Sequence, residues 1–158
     1  MLSRRAIGRI VRHYGADILT HEHMEVERRA YQHGNVTTYE HSVRVARLAV
    51  WLADRLRLWR RVDLCSLVRA ALLHDYFLYD WHVKDKTHRL HGFFHPGVAL
   101  ANAQKEYVLS EREKNIILRH MWPLTPCPPA CREAWIVTAA DKYCSLRETL
   151  FFRRRRNA

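Results

Sequence analysis

An apolar helical run that ends in two adjacent ionisable residues constrains this chain more than any other stretch. Leu64, Leu67, Val68 and Ala71 recur at the spacing of one helix face, Asp75 continues that face, and His74 sits beside it. A charge turned into an apolar interior is costly unless it is paired or holds a metal. Taken alone, His74-Asp75 reads as a capping Asp beside a hydrogen-bonded core histidine. The rest of the chain changes that reading.

No stretch alternates with the period of a strand. Only five Gly and five Pro occur, most of the Pro clustered near 123–129. The expected fold is all-α, a single-domain bundle of about six to seven helices. Ser3 to Tyr14 reads as a short basic amphipathic helix stopped by Gly15. Asp17 is expected to cap a second helix running to about His33, where Gly34-Asn35 breaks the chain. Thr37 or Thr38 caps a third helix reaching about Trp59, with His41, Val45, Leu48, Ala49, Leu52 and Leu56 as its inner stripe. Asp63 caps the fourth, which ends at His74-Asp75 or just beyond.

Residues 80–93 lack a period and read as a long loop of the kind that often carries function. Pro96 suits a first helical turn, which places His95 at the start of the fifth helix, with Val98, Ala99 and Asn102 on its face. Ser110-Glu111-Arg112-Glu113 has capping-box spacing and opens the sixth, with Glu113, Ile116, Ile117 and His120 inward. Pro123 ends it, and a Pro-rich connector leads to a last helix from about Arg132 to Phe152, with Val137, Ala140, Asp141 and Cys144 inside. The whole chain, 1–158, is read as one domain. Its motif-bearing core covers about 35–150, preceded by basic helices at 3–33 and followed by a frayed basic tail at 153–158.

His41, His74, Asp75, His95, His120 and Asp141 thus each interrupt or border an apolar helical face. Such groups are hard to bury together unless they meet around a cation. Imidazole and carboxylate ligands suit Fe, Mn, Zn, Co or Ni rather than Ca or Mg. This number of ligands, with one carboxylate free to bridge, suits two divalent transition metals roughly 3.5–4 Å apart.

The order His41, His74-Asp75, Asp141 resembles the H…HD…D series of the HD-domain metal-dependent phosphohydrolase superfamily. His95 and His120 resemble the two further histidines of its binuclear members. His95-Pro96-Gly97-Val98-Ala99-Leu100 resembles the His-Pro segment that opens a helix in the cyclic-di-GMP phosphodiesterase branch, and Asn115 to His120 the segment that follows it there. In that branch a second His and a Gly-Tyr-Pro segment come next, where this chain has Met121-Trp122-Pro123. Ala139-Ala140-Asp141-Lys142 with Arg147 resembles the ending of HD-type dinucleoside tetraphosphate hydrolases. The aromatic loop, taken with His120 to Leu124, is most similar to small bacterial HD-domain proteins.

The resemblance implies one metal held by His41, His74, Asp75 and Asp141, and a second held by His95, His120 and a bridging Asp75. Fe or Mn is expected first, with Zn, Co or Ni also suited. Asp75 is then the central catalytic residue. A metal-bridging hydroxide would attack the phosphorus of a phosphoester or phosphoanhydride in a nucleotide or small phosphorylated metabolite. Lys142 follows a ligand directly and Arg44 lies one turn beyond His41, so both are candidates for phosphate oxygens. Arg147, and Lys84 and His91 on the loop, are further candidates. Lys86 and His88 share that loop, and Trp81 and Trp122 offer aromatic faces to a base.

The formal charge of +11, with eleven His uncounted, points to an anionic partner. The alternative function is a basic nucleic-acid-binding helical module without catalysis, using Arg4, Arg5, Arg9, Arg12 and the Arg153 to Arg156 run. The four Cys form no CxxC pair, and Cys127 and Cys131 have no second pair to complete a zinc site. No apolar run approaches ~18 residues and the N-terminus is interrupted by Arg4, Arg5 and Arg9, so a cytoplasmic protein without a membrane partner is expected. His21-x-His23 is placed on a helix, where those positions do not face each other.

Overall fold

Side-chain caps start the helices that carry the inward-facing groups. Thr37 and Glu40 form a reciprocal capping box at the head of α4 (Thr38–Arg55), Asp63 accepts from the Cys65 and Ser66 amides to open α5 (Leu64–Leu73), and Ser110 and Glu113 form a second capping box at α7 (Glu111–Arg119). Each cap satisfies amides that the first helical turn leaves without partners. The computed structural model describes residues 1–33, 36–78 and 91–156, without the side chains of 32, 33, 91, 92 and 151–156. The other described elements are α1 (Arg4–Tyr14), α2 (Ala16–Leu19), α3 (Met24–Arg29), β1 (Tyr31–His33), β2 (Val36–Thr37), α6 (His91–Glu106) and α8 (Arg132–Arg156). The fold is an all-α bundle. Among the described residues no helix is long and apolar enough to cross a membrane.

α4 and α5 lie at the centre. α4 packs against α1, α3, α5 and α8, while α7 bridges α5, α6 and α8. The core is built from Val45, Ala46, Ala49, Val50 and Ala53 of α4, Leu67 to Leu73 on the inner side of α5, Ile116 and Ile117 of α7, and Ala134, Val137 and Ala140 of α8. The short alanines let helix axes approach closely. Gly15, between α1 and α2, is required by one such approach: a Cβ there would stand 2.3 Å from Leu72 Cδ1.

Four boundaries differ from the sequence expectation. The single helix expected from Asp17 to His33 is two short helices and a strand, which raises the described helices to eight. Asp17 does not cap; it lies in the first turn of α2 and pairs with Arg69. α2 closes at Thr20, whose amide still reaches Ala16 O, and the chain then tightens into turns in which His21 N–H reaches Ile18 O (3.1 Å) and Met24 N–H reaches His21 O (3.0 Å). β1 and β2 form a small antiparallel ribbon, with Tyr31 opposite Thr37, where no strand was expected. α4 ends at Arg55 rather than Trp59. Leu58 N–H reaches Ala53 O (2.8 Å) and Arg57 N–H reaches Asp54 O (3.0 Å), the Schellman closure, with Arg57 at φ 54° where glycine is usual. Leu56 therefore falls outside the inner stripe and is exposed. Finally, α6 begins at His91, so Pro96 lies inside the helix and His95 in its second turn, and Val98 is on the exposed side. The backbone of 153–156 continues α8 where a frayed tail was expected. The expectations for Gly34-Asn35, for the loop with Trp81, Lys84, Lys86 and His88, for the side chains of His91 and of 153–156, and for 157–158 lie outside the described residues.

Candidate metal centre

Five helices deliver the six singled-out residues to one buried cluster. His41 comes from the second turn of α4, His74 and Asp75 from the end of α5, His95 from α6, His120 from the end of α7 and Asp141 from α8. All are 5% exposed or less. The chain leaving Asp75 is held on both sides. Asn102 Nδ2 donates to the carbonyls of Tyr76 (3.3 Å) and Phe77 (3.1 Å), and Leu78 N–H, on a residue with φ 58°, donates to Glu27 Oε1 at 3.2 Å.

The histidines are oriented by their outer nitrogens. His74 is the C-cap of α5 and donates Nδ1–H to Ala71 O at 2.9 Å. His120 is the C-cap of α7 and donates Nδ1–H to Ile117 O at 2.8 Å. The same local solution appears twice: a helix-end ring satisfies a carbonyl that the ending helix would orphan, and its Nε2 turns inward. His41 donates Nδ1–H to Glu148 Oε2 at 2.9 Å. Carbonyl and carboxylate acceptors behind an imidazole are the usual means of aiming a metal-binding ring.

The inward nitrogens meet two carboxylates. Asp75 Oδ2 lies 3.2 Å from His74 Nε2 and 3.7 Å from His41 Nε2. Asp75 Oδ1 lies 3.1 Å from His95 Nε2 and 3.6 Å from His120 Nε2. Asp141 Oδ1 lies 3.1 Å from His41 Nε2 and 3.7 Å from His74 Nε2, and accepts from the Ser145 hydroxyl at 3.1 Å. His95 Nε2 and His120 Nε2 are 2.9 Å apart. Two subsets have ligand atoms mutually within 4.8 Å, namely His41, His74 and Asp141, and His74, Asp75 and His120.

The donor set fits divalent cations. His74 Nε2 is buried and makes no hydrogen bond of good geometry among the described residues, and the inward nitrogens of His95 and His120 stand 2.9 Å from each other while both face Asp75 Oδ1. Neither feature suits a purely structural polar core, and both suit imidazoles converging on cations.

Electrostatics without a cation point the same way. Burial alone would push His41 down, but its hydrogen bonds to Asp141 and Glu148 and the nearby charges outweigh it and raise its pKa to about 9. Burial is likewise outweighed at His74, where the Asp75 charge and the close carboxylates of Asp141 and Asp75 raise it well above the usual range. Asp75 and Asp141 resist burial and fall well below the carboxylate range, held down chiefly by His74 and by His41 and His74 respectively. His120 drops to about 3 through burial and the His74 charge. Two protonated rings thus stand where cationic charge is wanted.

Of the expected phosphate-binding residues, Lys142 is exposed and reaches His120 O at 3.4 Å. Arg44 pairs with Glu148 Oε1 at 3.0 Å. Arg147 lines a cavity with Arg4, Arg44, Arg47, Trp51 and Tyr143, whose wall also includes Glu148, the partner of His41. Trp122 stacks edge-to-face on Trp135, centroids 4.9 Å apart.

Three buried carboxylates, Glu27, Glu133 and Glu148, lie outside the sequence expectation, and Glu133 accepts from Asp63 N–H and Arg112. Glu148 continues the inner stripe of α8 two turns beyond Asp141, a period visible in the sequence. Among the arginines at the end of that helix, however, it reads as a surface ion-pair partner. Glu27 is 2% exposed and braces Leu78. Its only signal is an acidic residue in a segment expected to be one continuous helix.

The sequence model of the family described as HD domain matches residues 38–146, more than half of the chain. No curated protein and no solved structure matches the chain significantly. The matched span opens beside His41 and closes beyond Asp141, so it encloses the whole cluster: the chain belongs to the HD-domain family, whose members are in general metal-dependent phosphohydrolases.

Proposed function

We propose that this protein is a two-metal phosphohydrolase that cleaves a phosphoester or phosphoanhydride bond of a nucleotide or small phosphorylated metabolite. The observation that carries this reading is the division of labour within one carboxylate. Asp75 Oδ2 faces His41 and His74, while Oδ1 faces His95 and His120. A carboxylate with a separate ring pair at each oxygen is what a bridge between two cations requires. His41, His74, Asp75 and Asp141 would hold one cation, and Asp75, His95 and His120 the other. Fe or Mn, or alternatively Zn, Co or Ni, would supply Lewis acidity there, acidifying water and offsetting charge on the phosphoryl oxygens.

The chain's own residues do the rest. Glu148, Ala71 O and Ile117 O fix the ring orientations. Lys142, whose ammonium is exposed beside the His120 carbonyl, would meet a phosphate oxygen as a mobile point charge. His91 and Lys84 remain candidates for the same task.

The test is metal analysis after anaerobic purification, followed by a hydrolysis screen of nucleotides and phosphoesters with Mn²⁺ or Fe²⁺. We expect about two bound equivalents and phosphate release that Asp75→Ala abolishes. Absence of bound transition metal together with absence of release would sink the proposal.

A second reading rests on a different observation. Arg4, Arg44, Arg47 and Arg147 line a cavity of about 710 Å³ together with Trp51 and Tyr143. Cations interleaved with aromatic faces suit a nucleic-acid strand. Oligonucleotide binding that weakens steeply with salt and ignores metal content would favour that module over the enzyme.

A further inference from the structure

The turn between α2 and α3 builds a cluster apart from the HD centre. On a continuous helix His21 and His23 would point apart. The helix stops at Leu19, however, and turns through 20–23 bring the two rings to 5.0 Å, tilted by 67°. Glu106, the last residue of α6, faces both. His21 Nε2 is 3.4 Å from its Oε2, and His23 Nδ1 is 3.4 Å from its Oε1. Charge-assisted hydrogen bonds are shorter, about 2.7–2.9 Å. Each imidazole nitrogen thus faces its own oxygen of one carboxylate at a distance like the ~3.3–3.4 Å between neighbouring ligands of a cation they all bind at ~2.05 Å, and ligand atoms of the three residues lie mutually within 4.8 Å. His23 Nδ1 is also shut off from water and has no hydrogen-bond partner among the described residues.

We propose that His21, His23 and Glu106 form a second divalent-metal site, suited to zinc or a neighbouring late first-row ion. His21 would bind through Nε2, His23 through Nδ1 and Glu106 through its carboxylate. The side chains are 25%, 38% and 28% exposed, so water completes the shell. With Nε2 engaged, His21 carries its proton on Nδ1, which lies 3.5 Å from the Tyr76 hydroxyl. The 3.3 Å contact from His23 N–H to that same nitrogen belongs to the metal-free tautomer. Tyr107 supports the His21 ring at 5.5 Å. A bound ion would therefore fasten the α2–α3 turn to the end of α6, over Tyr76, the residue that follows Asp75. No ligand is shared with the HD centre, so the proposal stands independently of the phosphohydrolase reading.

The competing account is a solvated ion pair, which at this exposure contributes little. Equilibrium dialysis of the metal-stripped full chain against Zn²⁺ separates the two. His23→Ala, Glu106→Gln and His21→Gln should each bind about one equivalent less than wild type, while Asp75→Ala keeps that equivalent. The zinc-dependent rise in melting temperature should shrink in the three variants in parallel. Three variants on partly exposed groups keep the answer available if one folds poorly. Zinc stoichiometry equal to wild type in all folded variants would overturn the proposal.

Discussion

Glu148 shows how much of a site can sit one bond behind its ligands. Its carboxylate accepts from His41 Nδ1 and from Arg44. Burial is outweighed by these partners, chiefly His41, so its pKa is lowered. Replacing such a partner commonly weakens metal binding about 10–100-fold. Glu148→Gln should therefore load metal that much more weakly, with helix content unchanged. Unaltered affinity by competition with a chelator would count against its orienting role. A second prediction concerns protons. Raised pKa values at His41 and His74 leave both rings protonated at neutral pH without metal. In the metal-free protein the His41 contribution to stability is full below the ordinary value near 6.5 and is lost as pH rises through about 9. A cation must displace these protons, so loading should release about two per chain at pH 7 and weaken on acidification. Calorimetry in buffers of different ionisation enthalpy reads this directly, and buffer-independent heats would contradict it. The six clustered residues were legible because each breaks an apolar periodicity. Glu148 was not singled out, because an acidic residue beside arginines has a cheaper surface explanation. His21 and His23 were dismissed because the helix assumed there does not exist.

Elements were legible where a side chain itself makes the boundary. Thr37, Asp63 and Ser110 cap as their sequence spacing implies. Boundaries made by the backbone were not. The Schellman end of α4 uses Arg57 in place of glycine, and the break after α2 is a run of turns closed by i→i−3 backbone bonds at His21 and Met24, with no Gly or Pro to announce it. α3 carries the consequence. Glu27 lies on it, buried, and burial raises its pKa to about 8 despite the Leu78 N–H bond. A carboxyl whose folded value exceeds its unfolded one stabilises below the unfolded value, here 4.5, and loses that contribution as pH rises through 8. Stability should thus decline across that window by up to a few kcal/mol, an upper bound at about 1.4 kcal/mol per unit. Glu27→Gln should flatten the decline and gain stability at pH 8. Urea melts at pH 5 and pH 8 measure both, and parallel pH profiles in variant and wild type would refute it.

For the molecule as a whole, the buried cluster is where α4, α5, α6, α7 and α8 meet, so a cation bound there would be coupled to folding. Without a cation, the carboxylates of Asp75 and Asp141 rest largely on protonated rings, which is an expensive way to fill a core. An ion that binds the folded chain alone adds about 2.7 kcal/mol at a hundredfold excess over its Kd. For a chain of 158 residues each kcal/mol moves the melting temperature by roughly 2–4 °C. Mn²⁺ should therefore raise the midpoint of chelator-treated protein by roughly 5–10 °C at that excess, climbing with the logarithm of concentration. Mn²⁺ is the right probe because nitrogen-rich pairs such as His21 and His23 favour later ions over it. Ionic strength must be matched, since a chain of charge +11 gains stability from salt alone as self-repulsion is screened. Asp75→Ala should remove the shift at both metal positions, whereas Glu148→Gln should only move it to higher concentration. Coincident melts of metal-free and Mn²⁺-treated wild type at matched salt would leave the buried cluster without a cation, and would turn attention to the arginine-lined cavity as the functional surface.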